Sequence, residues 1–236
     1  MALAVIPARG NSKRIPRKNI RPFAGKPMIA WPIEVALASG SFDRVIVSTG
    51  DDEVADIAQA HGAEVPFRRP AELSHDKVPT RPVMVHAIEQ VQALHGPVEH
   101  VCCIYPTAPL LGADTIRSSK QELIQTGADF VFSCTTFPYP ILRALRITDD
   151  GSMEMIWPEH LKTRSQDLEQ AYHDAGQFYW GRADAFLEGK PMFGPGSRPW
   201  VLPRHLVQDI DTPEDWIRAE LAFQVLRGRS DDRLSL

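Results

Sequence analysis

Ala2-Leu3-Ala4-Val5-Ile6-Pro7-Ala8-Arg9-Gly10-Asn11-Ser12-Lys13-Arg14-Ile15-Pro16-Arg17-Lys18-Asn19 is the stretch from which the rest of the chain is read. Its apolar start predicts a strand over 3–7. The strand feeds directly into a loop carrying five cations, Arg9, Lys13, Arg14, Arg17 and Lys18, in a protein whose formal net charge is −4. The cluster is therefore a local concentration of charge. Such side chains repel one another unless water or an anion lies between them. A Gly- and Ser-containing loop at the carboxyl end of a strand also offers backbone N–H groups to phosphate oxygens. Charge alone leaves two readings open, a polyphosphate site and a solvated basic loop.

Downstream, short apolar runs at 44–49, 64–67, 100–105 and 130–135 predict further strands. Amphipathic segments at 27–39, 53–61, 81–94 and 113–126 predict helices between them. In the third helix Met84, Ala87, Ile88, Val91 and Leu94 recur on one face. Gly40, Gly62, Gly96 and Gly127 fall just past the proposed helix ends, where a left-handed residue costs least. Strands alternating with helices of this length imply an α/β fold, a mostly parallel sheet with helices on both faces.

After residue 136 the pattern changes. Phe137-Pro138-Tyr139-Pro140 punctuates the chain, and apolar runs at 142–148 and 153–157 flank the hairpin signal Asp149-Asp150-Gly151. Residues 158–173 are polar and read as loop with short helix, so the excursion is expected to project from the sheet. A strand over 176–180 returns to it. Near the carboxyl end Asp209-Ile210-Asp211 precedes Thr212-Pro213-Glu214-Asp215, in which Thr212 reads as an N-cap, Pro213 as the first helical residue and Asp215 as the capping-box partner. The two aspartates are expected at the end of a strand.

With 236 residues, 43% hydrophobic and 24% charged, the composition is that of one ordinary globular domain. The mildly acidic balance speaks against nucleic-acid binding. No apolar run is long enough to span a bilayer, no signal-peptide pattern is present, and a cytoplasmic location is expected. Cys102, Cys103 and Cys134 lack metal-ligand spacing and lie in apolar runs, as small buried hydrophobes do.

In an extended segment Asp209 and Asp211 point the same way while Ile210 points to the core. Two like charges this close favour a cation between them, and hard oxygen ligands suit Mg²⁺. A simpler reading has Asp211 capping the last helix and Asp209 solvated. The phosphate-rich setting implied by the loop favours the metal. Neither a P-loop, a three-glycine dinucleotide motif nor a Gly-x-Ser-x-Gly elbow is present, which removes P-loop kinases, nicotinamide enzymes and common serine hydrolases.

The segment 6–19 resembles the amino-terminal signature of the sugar-acid cytidylyltransferases, which activate nonulosonic acids as CMP-sugars. Arg44 to Thr49 with its acidic turn, Arg69-Pro70-Ala71-Glu72-Leu73, Tyr105-Pro106-Thr107-Ala108-Pro109 and Asp209-Ile210-Asp211-Thr212 follow in that family's order. The similarity runs from about residue 3 to residue 225. It implies a Rossmann-like fold of the nucleotide-diphospho-sugar transferase type, spanning 1–236 as a single nucleotidyltransferase domain. About 137–173 would form a protruding dimerisation subdomain of a homodimer whose sites lie near the interface. Where the family often has Asp after Ser-Thr in the second strand, this chain has Gly50 before Asp51 and Asp52.

The resemblance further implies CTP and a nine-carbon sugar acid as substrates, with no nucleic-acid or membrane partner, and Mg²⁺ on Asp209 and Asp211. Arg9 and Lys13 would contact the triphosphate, Ala8, Gly10, Asn11 and Ser12 would bind the nucleotide with them, Lys18 and Asn19 would lie near it, and Arg69 would be a further nucleotide or phosphate contact. Arg9, Lys13, Asp209 and Asp211 would carry catalysis. Segments 103–109, 165–180 and 202–204 are most similar to members acting on pseudaminic acid, with sialic, legionaminic and Kdo-type acids as alternatives. An arginine fork suits the acceptor's carboxylate and aromatics its acyl groups, and Arg143, Arg164, Tyr105, His173, Gln177 and Phe178 are the candidates for contact with the sugar. A catalytically silent nucleotide-binding relative would have lost an Asp or the loop cations, and this chain keeps both.

Overall fold

Strand β1, Ala2–Pro7, is buried because its alternate side chains enter two different cores, Ala4 and Ile6 on one side and Leu3 and Val5 on the other. Period-two alternation puts neighbouring residues on opposite faces, so a strand apolar throughout needs helices on both. The computed structural model describes residues 1–232. After β1 come a two-residue hairpin (β2, Pro22–Phe23; β3, Lys26–Pro27), α1 (Ala30–Ser39), β4 (Arg44–Ser48), α2 (Asp52–Ala60), α3 (Thr80–His95), β5 (His100–Ile104), α4 (Ala113–Thr126) and β6 (Phe130–Thr136). A small hairpin, β7 (Leu145–Ile147) with β8 (Met153–Met155), precedes β9 (Tyr172–Arg182), α5 (Ala183–Glu188), β10 (Ser197–Val201) and α6 (Pro213–Asp232).

The main sheet has six strands in the order β10-β6-β9-β5-β1-β4. β1, β4 and β5 pair in parallel, as do β6 and β10, whereas β9 runs antiparallel to both neighbours. The sheet is thus mostly parallel, as the sequence predicts, with one reversed strand supplied by the chain returning from its excursion. The expected strand over 64–67 reduces to a single bridge, Ile46 with Glu64. The first predicted helix starts three residues late because Lys26 and Pro27 belong to the hairpin. Leu94 is exposed, while Met84, Ala87, Ile88 and Val91 are buried under the sheet. Gly40 and Gly127 end α1 and α4 in the left-handed conformation.

A third core positions the site. Ile15 of the cationic loop, Phe23 of the first hairpin, Trp31 of α1, Ile210 and the α6 residues Trp216 and Phe223 form one buried cluster. Phe23 meets Trp216 and Phe223 edge-on, with ring centroids 5.4 Å apart in both pairs. At about 25 cal/mol per Å² of apolar surface, side chains of this size stabilise by about 2 kcal/mol each. Burial of Ile15 and Ile210 in the same cluster brings the two chain ends together. Thr212 and Asp215 cap α6 reciprocally: the Asp215 N–H donates to Thr212 Oγ1 at 3.2 Å, and the Thr212 N–H to Asp215 Oδ2 at 2.8 Å.

Residues 207–211 are not a strand. Pro203 and the 3-10 turn Arg204–Leu206 break the chain after β10, and the aspartates lie in the loop that follows. The excursion carries the expected hairpin, whose Leu145, Ile147 and Met153 are exposed at 54%, 73% and 64%. The cysteines are free and buried, and desolvation pushes their thiols up.

Candidate active site

At the carboxyl ends of β1, β4 and β5 the chain leaves the sheet in three loops, and a cleft opens between them, as ligand sites do in open α/β sheets. A cavity of about 250 Å³ there is lined by Arg9, Ser12, Lys18, Asn19 and Arg69, together with Tyr105. A second, of about 340 Å³, lies against Gly10, Asn11 and Gly50, and Arg9 and Arg69 border both. Seven of the nine residues expected to hold the nucleotide therefore line one connected cleft. Ala8 and Lys13 flank it.

Arg69 is the electrostatic centre. Only 6% exposed, it donates from Nη2 to the Ala8 carbonyl at 3.1 Å and from Nε to Ser74 Oγ at 3.3 Å. Burial and the neighbouring Arg9 push its pKa down to about 10, which still leaves it charged at neutral pH. Among the described residues neither Arg69 nor Arg9 has a carboxylate partner. A buried cation beside a second cation is costly unless an anion compensates.

The remaining loop cations are paired. Arg17, with φ +54°, binds Asp51 at 2.6 Å and also reaches Glu53. The carboxyl group of Asp51 is held below its ordinary range, first by Arg17, and also accepts the Val54 N–H as the N-cap of α2. Lys13, largely exposed, meets Asp76 at 2.5 Å. A Cβ on Gly10 would lie 1.8 Å from Asp51 Oδ2, so only glycine admits this anchor. Gly50 has its own local reason: a Cβ there would approach the Arg69 carbonyl to 2.8 Å. Asn19 is buried, and its Nδ2 donates to the Arg9 carbonyl at 2.9 Å, which fixes the loop's turn.

Lys18 crosses to the other chain end. Its Nζ donates to the Ile210 carbonyl and lies 3.3 Å from Asp211 Oδ1, which Arg14 also meets at 2.8 Å. Asp211 is thus tied to the loop, and the cap of α6 is left to Thr212 and Asp215. Asp209 packs its inner side against Gly176, where a Cβ would come within 3.6 Å, yet keeps exposed surface. Desolvation, then Asp211, pushes its carboxyl pKa above the ordinary 3.8. Among the described residues no cation lies within ion-pair distance of it. A crowded, unpaired carboxylate beside a second one fits a hard divalent cation.

The residues expected to meet an acyl group or carboxylate divide sharply. Tyr105 lines the cleft, with its hydroxyl 3.0 Å from Thr80 Oγ1. Phe178 is corrected: it has no exposed surface and packs in the core beside Trp180, because alternation along β9 sends it to the opposite face from Tyr179. Gln177 is corrected too. Only 2% exposed, it donates from Nε2 to the Leu206 carbonyl and so tethers the turn that precedes the aspartates. His173 packs on Phe137, with Nδ1 2.9 Å from the Asp174 carbonyl. Arg143 reaches Ser165 and Arg164 pairs with Asp167, both on the excursion and outside the cleft lining. Sequence reasoning missed Ser74, His75, Asp76, Thr80 and Thr107, all in the lining. Their one signal was position, just after Arg69-Pro70 and Tyr105-Pro106, where the prolines end the extended runs.

Comparison with known proteins agrees with this geometry. The family profile described as cytidylyltransferase matches residues 3–189. The chain is 47% identical over 223 residues to the pseudaminic acid cytidylyltransferase of Campylobacter jejuni, covering 94% of this chain and 96% of that one. It is 32% identical over 230 residues to the CMP-N,N′-diacetyllegionaminic acid synthase of Legionella pneumophila, with the same coverage. In three dimensions it is similar to a CMP:2-keto-3-deoxy-manno-octonic acid synthetase solved in complex with CTP. There the TM-score is 0.68 at 18% identity, over 94% of this chain and 99% of that one, a likeness of fold.

Proposed function

The chain belongs to the cytidylyltransferase family, and from that premise we propose that it transfers CMP from CTP to the anomeric hydroxyl of pseudaminic acid, releasing pyrophosphate. The observation that carries the site assignment is the buried Arg69 beside Arg9, neither of which has a carboxylate partner among the described residues. Such a pair is prepared for an anion and costs the folded protein stability without one.

In the reaction the acceptor's hydroxyl oxygen forms a bond to the α-phosphorus of CTP. The bond from that phosphorus to the bridging oxygen breaks, pyrophosphate leaves with the bonding electron pair, and the hydroxyl proton passes to solvent water. The chain's residues hold and orient these groups. Arg9 and Arg69 bind phosphate oxygens from inside the cleft, and Arg69, held by the Ala8 carbonyl and Ser74, needs no rearrangement as charge develops on the leaving group. Lys13 exchanges Asp76 for the triphosphate. Asn19 holds the loop that presents Gly10, Asn11 and Ser12 to the phosphates. Asp209 and Asp211 would hold Mg²⁺, which when bound supplies charge neutralisation and alignment of the phosphate oxygens.

The excursion serves, in this reading, as the contact of a homodimer, supported by the apolar side chains its hairpin exposes. The protein would act in the cytoplasm. Among the described residues no helix is long and apolar enough to cross a membrane. The decisive experiment incubates purified protein with CTP, Mg²⁺ and separate sugar acids and measures pyrophosphate. Release with pseudaminic acid in excess of release with sialic, legionaminic and Kdo-type acids is expected. Turnover of another sugar acid alone would overturn the substrate, and no turnover of any would overturn the activity.

A further inference from the structure

Behind the cleft lies another cavity, of about 450 Å³, whose walls are apolar and aromatic: Met84, Phe130, Tyr179, Phe186 and Phe193. Thr80 and Tyr105 line both this cavity and the cleft, so the hydrogen-bonded pair forms the partition between them. The cavity also takes in Asp174, an exposed carboxylate, together with the polar residues Thr80, Arg81 and Lys190.

Asp174 is aimed there by an irregularity in the sheet. The β6–β9 register jumps from Phe132 opposite Tyr179 to Cys134 opposite Asp174, and Gly176, at φ +62°, makes the bend. Bulges beside sites re-aim side chains in this way. Asp174 Oδ1 accepts the Gly176 N–H at 2.9 Å, and Oδ2 accepts the Tyr179 hydroxyl at 2.6 Å. Burial, Tyr105 and Asp174 hold that phenol protonated, so it serves as donor. A carboxylate has about four acceptor positions, and these two bonds leave the others open. The cations at the mouth are already engaged, Lys190 with Asp129 at 2.8 Å and Arg81 with the carbonyls of Phe186 and Gly189. What the cavity offers a ligand is therefore an apolar enclosure with an acceptor at one side. An acylamino group, with an alkyl end and one N–H, matches both features, whereas a hydroxyl leaves the walls unfilled and a second carboxylate is repelled.

We propose that Asp174 recognises the acceptor by taking the N–H of an acylamino substituent that enters this cavity past Tyr105, the acyl methyl packing on the apolar lining that Met84 and Phe186 supply. The Tyr105 and Tyr179 rings, 5.2 Å apart between centroids, touch each other and together form one wall of the cavity. The proposal rests on the cytidylyltransferase reading above and names the residue that reads the acceptor.

The test uses the full chain with CTP, Mg²⁺ and pseudaminic acid. Asp174→Ala is expected to lower kcat/KM for the sugar acid about 10- to 100-fold, the effect of one hydrogen bond to a charged group, with the KM for CTP unchanged. Asp174→Asn keeps an oxygen that can accept both the Gly176 N–H and the ligand N–H, and should recover part of the loss. It also guards against failure of the alanine variant to fold. An Asp174→Ala enzyme with unaltered kcat/KM for the sugar acid, or one whose CTP kinetics fall equally, overturns this proposal alone. A parent protein that turns over no sugar acid overturns the cytidylyltransferase reading and this proposal with it.

Discussion

Lys18 Nζ lies 3.3 Å from Asp211 Oδ1, joining residues 193 positions apart in sequence. The half-buried ammonium also donates to the Ile210 carbonyl, so the contact fixes the backbone between Asp209 and Asp211 as well as one carboxylate. Because Ile15 and Ile210 share one buried cluster, packing holds the cationic loop and the aspartates together before any charge interaction is counted. The ion pairs then refine a placement that the core has made.

Asp209 carries a stability cost that a cation should remove. Its folded-state pKa is raised, mainly by desolvation and then by Asp211. Below the ordinary value of 3.8 it is protonated in both states and costs nothing. As pH rises through the elevated folded value, the folded protein loses stability relative to the unfolded chain. At pH 7 without metal, Asp209→Asn should therefore raise the melting temperature slightly, while turnover falls by ~10²-fold or more. Adding Mg²⁺ should stabilise the parent protein and not the variant. A melting temperature insensitive to Mg²⁺ in both would remove the metal from this site.

The two cations of the cleft should separate by burial. Lys13 is solvated, so Lys13→Ala should raise the KM for CTP while stability stays within ~0.5 kcal/mol. Arg69 is buried and, among the described residues, lacks a carboxylate partner. Arg69→Met should abolish the thermal stabilisation that CTP gives the parent protein, while in the nucleotide-free state the lost bonds to Ala8 and Ser74 are offset by removal of an uncompensated buried charge. Calorimetric melting with and without CTP reads both, and an Arg69→Met protein still stabilised by CTP would place the nucleotide elsewhere.

The exposed hairpin should report on assembly. Ile147 is 73% exposed and pairs with Met153 across the strands. A charge there disturbs little in an isolated chain but is costly in an apolar contact. Ile147→Glu should convert a homodimer to monomer in analytical ultracentrifugation, with the circular dichroism spectrum unchanged. A parent protein that sediments as a monomer would end the dimer reading.

Much of this was legible in the sequence because it followed from local rules. Apolar runs bounded by glycine gave β1, β4, β5 and β6, and the capping pair Thr212–Asp215 gave the start of α6 within a residue. The cations and the aspartates were identifiable by charge and spacing. What was hidden depends on contacts between distant segments. Which face Phe178 occupies follows from the strand register of β9, and one residue's difference exchanges it with Tyr179. The antiparallel direction of β9 depends on the length of the excursion. Asp76 and Thr80 lacked a distinguishing pattern and enter the site only because the turn after Arg69 folds over Arg9.

Gln177 supplies the last prediction, in which its role differs from the sugar contact that sequence suggested. The side chain is buried, and its Nε2 bond to the Leu206 carbonyl ties β9 to the turn three residues before Asp209. Losing it leaves a part-buried carbonyl without that donor, at a cost of about 1 kcal/mol, and frees the segment that positions the aspartates. Gln177→Ala should therefore raise the Mg²⁺ concentration needed for half-maximal activity. The ratio of kcat/KM between pseudaminic and sialic acids should stay constant, because no part of the side chain reaches the acceptor. Measuring the Mg²⁺ dependence and the two-substrate ratio on the same preparation separates the roles. A shift in the ratio at unchanged Mg²⁺ dependence would return Gln177 to the acceptor site and would require its buried amide to turn outward when the sugar binds.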